Sequence, residues 1–208
     1  IESGKYIFDV HTPSSKIENI VFHLPGKHNV MNALAALAMA DVYGVPLHEI
    51  KESLASFKGV QRRFSYRIKT PNFVLIDDYA HHPTEIEAVQ NSVREMYPNK
   101  KVLVIFQPHL FSRTRDFVED FANVLSKFDE IALLDIYPAR ELPIKGVDSS
   151  WLFGKITNRH KKLVEKNNLV KVIKNSSAEV VVMMGAGDIG AAVNEVTNEL
   201  LKYQENEV

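Results

Sequence analysis

The sequence predicts an α/β fold, a mostly parallel sheet with helices on both faces, and three observations carry that prediction. Four short runs, residues 73–76, 102–106, 131–134 and 180–184, are continuously apolar, as strands covered on both faces are. The stretches between them repeat apolar residues at helical spacing. Each interval is long enough for a crossover helix, so consecutive strands run parallel rather than as hairpins.

Composition bounds the rest. The chain has 208 residues, 45% hydrophobic and 25% charged, which suffices for a sizeable core. A net charge of −1 gives no electrostatic case for nucleic acid or an anionic membrane. There is no cysteine, so disulfide and thiolate chemistry are excluded. No apolar run approaches the roughly 20 residues that span a bilayer. The opening Ile-Glu-Ser-Gly-Lys is neither a signal peptide nor an initiator methionine, and reads as a cleaved or truncated end. A reducing, cytoplasmic setting is expected.

Residues 5–10 and 18–23 read as strands joined by 11–15, followed by a loop at 24–29. An alanine-rich helix is expected over 30–43, with Val30, Leu34, Leu37 and Ala38 on one face. Small apolar residues on its other faces make it a buried helix. Gly44 ends it, and Pro46 opens a second helix through Phe57. Two strands and two helices cannot bury their own faces, so residues 1–58 read as the tail of one domain and 59–208 as a second. Within the second, Phe64, Tyr66 and Ile68 alternate as a half-exposed strand before the turn at 70–72. Helices follow on Ile86, Val89, Val93 and Met96, then on Phe117, Phe121, Val124, Leu125 and Phe128. A short helix is expected at 151–156, a strand near 169–173 and a last helix over 188–203.

Function in such sheets sits at the C-terminal ends of the strands. The first such loop reads Asp77-Asp78-Tyr79-Ala80-His81-His82-Pro83. Its carboxylates suit ribose hydroxyls or a divalent cation, and its histidines suit substrate hydrogen bonds; the bland alternative is a helix cap with solvated aspartates. The second loop, residues 107–114, places His109 and Arg113 where a guanidinium fork could grip a carboxylate, aided by the next helix N-terminus. The third spans 135–148. The fourth, Gly185-Ala186-Gly187-Asp188-Ile189-Gly190, matches a dinucleotide fingerprint, but no strand remains to carry the ribose-binding acid, so it reads as a tight turn. The pattern G-x-x-x-x-G-K-[ST] occurs nowhere. His28-Asn29 offers polar atoms suited to a purine edge, and Arg62-Arg63 stands at the domain junction.

Taken together, Gly26-Lys27-His28-Asn29-Val30-Met31-Asn32-Ala33, Arg62-Arg63-Phe64, Asp77 to Glu85 and Phe106 to Arg115 closely resemble the Mur ligase family. Leu134 to Glu141 and Met184 to Ile189 extend the match over nearly the whole chain. The resemblance implies a Rossmann-like C-terminal domain for the incoming amino acid, preceded by the end of a central ATPase domain. It implies ATP and Mg2+, both needing a phosphate loop not in this sequence, with UDP-N-acetylmuramate and L-alanine as small-molecule substrates. It places His28, Asn29 and Asn32 toward the adenine, Arg63 toward the ATP phosphates and Asp78 toward the ribose. Tyr79, His81, His109 and Arg113 would line the amino-acid pocket, with His81 and His109 as the catalytic pair. Many relatives carry arginine where this chain has Leu110, leaving more of the carboxylate grip to Arg113. A tripeptide-adding branch of the family shares the first loop; the close His109 and Arg113 favour a small amino acid. The alternative of another class is a nicotinamide-dinucleotide site at residues 185–190.

Overall fold

The computed structural model describes residues 5–12 and 15–206, with side chains to residue 202. The readings of the first four residues, and of Pro13 and Ser14 in the 11–15 connection, fall outside the described residues. The chain divides into two compact units, residues 1–60 with 91–98, and residues 61–90 with 99–208.

In the first unit, β1 (Tyr6–His11) and β2 (Lys16–Phe22) form an antiparallel pair with an irregularity between Phe8 and Val10. Helix α1 spans Lys27–Val42 and α2 spans Leu47–Ser56. Gly44, at φ +80°, turns the chain out of α1, donating to the Asp41 carbonyl. The core gathers Ile17, Ile20 and Phe22 from the ribbon, Ala33 and Leu37 from α1, and Ile50 and Leu54 from α2. The expected burial of α1 on all sides is not what forms. Only the stripe Asn29, Ala33 and Leu37 is buried, while Met31, Met39 and Val42 are exposed. Small apolar residues permit close packing; a neighbour on each face is what would produce it.

The second unit is a six-stranded sheet in the order β3 (Ser65–Lys69), β4 (Val74–Asp78), β8 (Val180–Met184), β5 (Val102–Phe106), β6 (Glu130–Leu133), β7 (Lys161–Leu163). All neighbours are parallel except β3, which pairs antiparallel with β4. Successive side chains of a strand point to opposite faces. Leu75, Leu103, Ile105, Val181 and Met183 enter a core with α7 (Leu169–Lys174) and α8 (Ile189–Asn206). Phe106 points the other way and meets Phe121 at 5.6 Å between ring centres. Helix α3 spans Pro83–Met96 and α6 spans Ser149–Lys155.

Three expectations change. Residues 169–173 form helix α7: Leu169, Val172 and Ile173 are buried at spacings of three and four, a helical stripe that outweighs the β-branched content. The strand of that region is the short, lysine-rich edge β7. The single helix expected through Phe128 is two, α4 (Phe111–Asp116) and α5 (Val118–Leu125), broken at Phe117 with φ −121° and ψ 22°. The aspartate pair lies inside β4 rather than in the loop after it.

Candidate active site

Asp77 and Asp78 end β4 and are both buried, which excludes the reading of solvated carboxylates. The two Asp78 carboxylate oxygens accept from the backbone N–H groups of Phe64 and Ala80, each at 2.7 Å. Burial outweighs these bonds and pushes its carboxyl up to about 6. Asp77 accepts from Arg62 Nε at 3.2 Å; burial raises its carboxyl too, against the pull of that guanidinium. Arg62 also donates to the Gly185 carbonyl at 2.5 Å and lies 5.0 Å over the Tyr79 ring. Its own backbone is left-handed, φ +59°. Arg62 is therefore the arginine of the pair that knits the strand ends together. Arg63, placed by resemblance at the ATP phosphates, is exposed, and its charge acts on Asp78.

Past β4, His82 and Pro83 open α3. Glu85 accepts from the N–H groups of His81 at 3.0 Å and His82 at 3.2 Å, the returning half of a capping box. His82 turns its ring onto Phe117, 4.6 Å between centres, and its Nδ1 to the Thr84 hydroxyl. His81 turns the other way. Its Nδ1 faces the Tyr79 carbonyl at 2.8 Å, so that nitrogen carries the proton and Nε2 is the basic one in the neutral ring.

At the end of β5, His109 meets His81 edge-on at 5.9 Å and stacks on Tyr137 at 5.7 Å. Arg113 Nη1 reaches His109 Nδ1 at 3.4 Å. A guanidinium only donates, so His109 Nδ1 accepts and Nε2 bears the proton. Burial, then the Arg113 and His81 charges, hold this imidazole below its ordinary value, keeping it neutral; Glu141 pulls weakly the other way. Tyr79, His81, His109 and Tyr137 thus form a continuous row of rings across the ends of β4, β5 and β6.

Arg113 sits within α4, which begins at Phe111 after Leu110 at φ +73°. Thr114 does not cap a helix from outside; it is buried and donates to the Leu110 carbonyl. The positive helix end expected to help hold a substrate carboxylate is already taken. Glu141 accepts from the N–H of Ser112 at 2.9 Å and from its hydroxyl, and faces the N–H of Phe111.

The 185–190 turn is tight for packing reasons. A Cβ on Gly187 would lie 2.5 Å from Gln107 Oε1 and 2.6 Å from the Tyr137 ring. Gln107 is buried; its amide donates to Asp188, and its oxygen accepts from the Ile189 N–H. Asp188 pairs with Lys166. A cavity of about 420 Å³ opens beside this network, lined by Gln107, Leu134, Tyr137, Lys166 and Asp188 among others.

In the first unit, Asn29 is buried and its amide donates to the Pro25 carbonyl at 2.6 Å, while His28 and Asn32 are exposed on the first turns of α1. Among the described residues no group of three or more His, Asp or Glu is placed to hold a metal ion, and no helix is long and apolar enough to cross a membrane. In the sequence Arg62 shows only as one of a pair at the domain junction, and Tyr137 and Glu141 carry no assigned role, since what distinguishes each is a partner distant along the chain.

Residues 62–187 match the family profile for the Mur ligase, glutamate ligase domain. The UDP-N-acetylmuramate–L-alanine ligase of Christiangramia forsetii is 64% identical over 97% of this chain, and that of Porphyromonas gingivalis 48% over 96%. In each case 44% of the relative is covered, so the chain spans under half its relatives' length. Among solved structures, the UDP-N-acetylmuramate–alanine ligase of Thermotoga maritima superposes with a TM-score of 0.75 at 32% identity, over 91% of this chain and 41% of that one. A murein peptide ligase from Psychrobacter arcticus, at 20% identity and a TM-score of 0.60, shares the fold. With more than half of its length inside that family profile, the chain belongs to the Mur ligase family.

Proposed function

We propose that this chain is the amino-acid-binding portion of an ATP-dependent ligase that joins L-alanine to UDP-N-acetylmuramate. The observation that carries the reading is the convergence of Tyr79, His81, His109 and Arg113 at the C-terminal ends of β4 and β5, on either side of β8. The 64% identity to a ligase of that name supports the choice of substrates. Residues 1–58 are read as the end of the ATP-binding domain, with His28, Asn29 and Asn32 near the adenine, Arg63 near the phosphates and Asp78 near the ribose. Asp78 would meet the ribose through lone pairs beyond those given to Phe64 and Ala80.

The chemistry is carboxylate activation. The γ-phosphoryl group passes from ATP to the muramate carboxylate, giving ADP and an acyl phosphate. The alanine nitrogen then forms the C–N bond as the C–O bond to phosphate breaks. Mg2+, when bound, would offset charge on the transferring phosphoryl group. Arg113 grips the alanine carboxylate, and His109 Nε2–H donates beside it. His81 Nε2 accepts the proton that the amine sheds on attack. Holding the amine in line is the main contribution, an effect of orientation.

The test uses the full-length enzyme with ATP and UDP-N-acetylmuramate. Phosphate release should depend on L-alanine. Faster release with a tripeptide than with L-alanine would transfer the protein to the recycling branch, and micromolar NADH binding would favour a dinucleotide site at residues 185–190.

A further inference from the structure

Sequence reading gave the 135–148 loop no chemistry, yet it supplies groups that hold both His109 and Arg113. Tyr137 pairs with His109 as an isolated parallel bridge. Its N–H donates to the Pro108 carbonyl at 2.8 Å, and its carbonyl accepts from Leu110 at 2.9 Å. Its ring stacks on the His109 imidazole, and its base is so close to Gly187 that a Cβ there would collide with it. Four residues on, after Ala139 at φ +52°, a turn returns the chain so that Glu141 reaches Ser112.

We propose that Tyr137 and Glu141 are positioning residues for the amine substrate, Tyr137 fixing the plane of His109 and Glu141 fixing the start of α4 and so the reach of Arg113. The inference rests on the reading of His109 and Arg113 as amino-acid contacts. Glu141 is unsuited to touching the substrate itself, because an amino acid brings its own carboxylate. Its value lies in what it occupies. By taking the leading N–H groups of α4, it removes a competing berth for that carboxylate and leaves the guanidinium as the partner. Its bonds also pin a helix whose N-cap, Leu110, offers no side-chain cap. A six-residue helix has little cooperative stability of its own, so a cap donated by a distant loop governs whether Arg113 is held in place.

The test is steady-state kinetics on the full-length enzyme, after L-alanine-dependent phosphate release by the parent has been measured. Glu141→Ala should raise the KM for L-alanine about tenfold with the KM for ATP changed less than about twofold. Ser112→Ala, which removes only the hydroxyl bond and keeps the backbone N–H bonds to Glu141, should raise the KM for L-alanine less, and the double variant should be no worse than Glu141→Ala alone. Tyr137→Ala should lower kcat with L-alanine about tenfold, and Tyr137→Phe, which keeps the ring, should restore it. Equal losses toward both substrates, or additive Ser112 and Glu141 effects, would overturn the proposal. A parent without alanine dependence would instead defeat the functional reading. In that event histidine-labelled NMR still decides the positioning roles: Glu141→Ala should raise the His109 titration midpoint by freeing Arg113, whose pull on that ring outweighs that of Glu141, and Tyr137→Ala should raise it by exposing the ring. A midpoint unmoved by both would overturn them.

Discussion

Arg113 reaches His109 at 3.4 Å, a long contact that leaves most of the guanidinium fork for another partner. Arg113→Ala in the full-length enzyme should therefore raise the KM for L-alanine by about 10- to 100-fold, the loss of a charge-assisted hydrogen bond worth about 1.5–3 kcal/mol. The KM for ATP should stay put, and initial-rate kinetics check both. An unchanged alanine KM would remove Arg113 from the pocket. At this scale much of the candidate site was legible. Tyr79, His81, His109 and Arg113 announce themselves by type and by their place after apolar strands. Arg62 stood out only as half of a pair at the domain junction, because a guanidinium's role is set by what surrounds it, here Asp77, the Gly185 carbonyl and the Tyr79 ring. Glu141 could not, since Ser112 lies 29 residues away.

The 185–190 turn shows how an element can carry a motif for reasons of space alone. Gly187 has no room for a side chain between Gln107 and Tyr137. Gly187→Ala should cost about 1–3 kcal/mol, the usual penalty for overpacking, read as a lower urea midpoint of the 208-residue chain. The same change in the full-length enzyme should impair use of L-alanine through Tyr137. A Gly187→Ala enzyme that kept full stability and full activity would show that the turn has slack. Strands β4, β5, β6 and β8 were readable because continuous apolar runs have few other fates. The misread elements are those decided by neighbours. Residues 169–173 favour a strand by composition, but their buried positions fall at helical spacing over the sheet. The single helix expected after β5 breaks at Phe117, a residue whose ring is met by His82.

For the whole molecule, acid and alkali act on Asp78 in a definite direction. Its folded-state carboxyl is raised to about 6, above the ordinary 3.8, so between these values the native chain binds more protons than the unfolded one. Its contribution to stability is full below about pH 4 and is lost as pH rises through 6. Relative to Asp78→Asn, which does not titrate there, the parent should lose on the order of 3 kcal/mol between pH 4 and 7. Urea denaturation of both chains at several pH values checks this, and a constant difference would refute it. The comparison with the variant is needed because Glu141 and Asp188, whose carboxyls are lowered, pull the overall curve the opposite way. A second expectation concerns activity. With no G-x-x-x-x-G-K-[ST] in its sequence, this chain alone should release no phosphate from ATP with UDP-N-acetylmuramate and L-alanine. Measurable turnover would contradict the proposed division of labour.

The strand order has a consequence in time as well as in space. The strands that carry the two histidine loops, β4 and β5, do not touch; β8, residues 180–184, pairs with both. On a ribosome, both loops emerge more than sixty residues before the strand that sets their register. Until it arrives, the row of rings has no common frame, and the nascent chain exposes two apolar strand edges. The candidate site is therefore among the last features of the sheet to assemble, through contacts distant in sequence and slow to form.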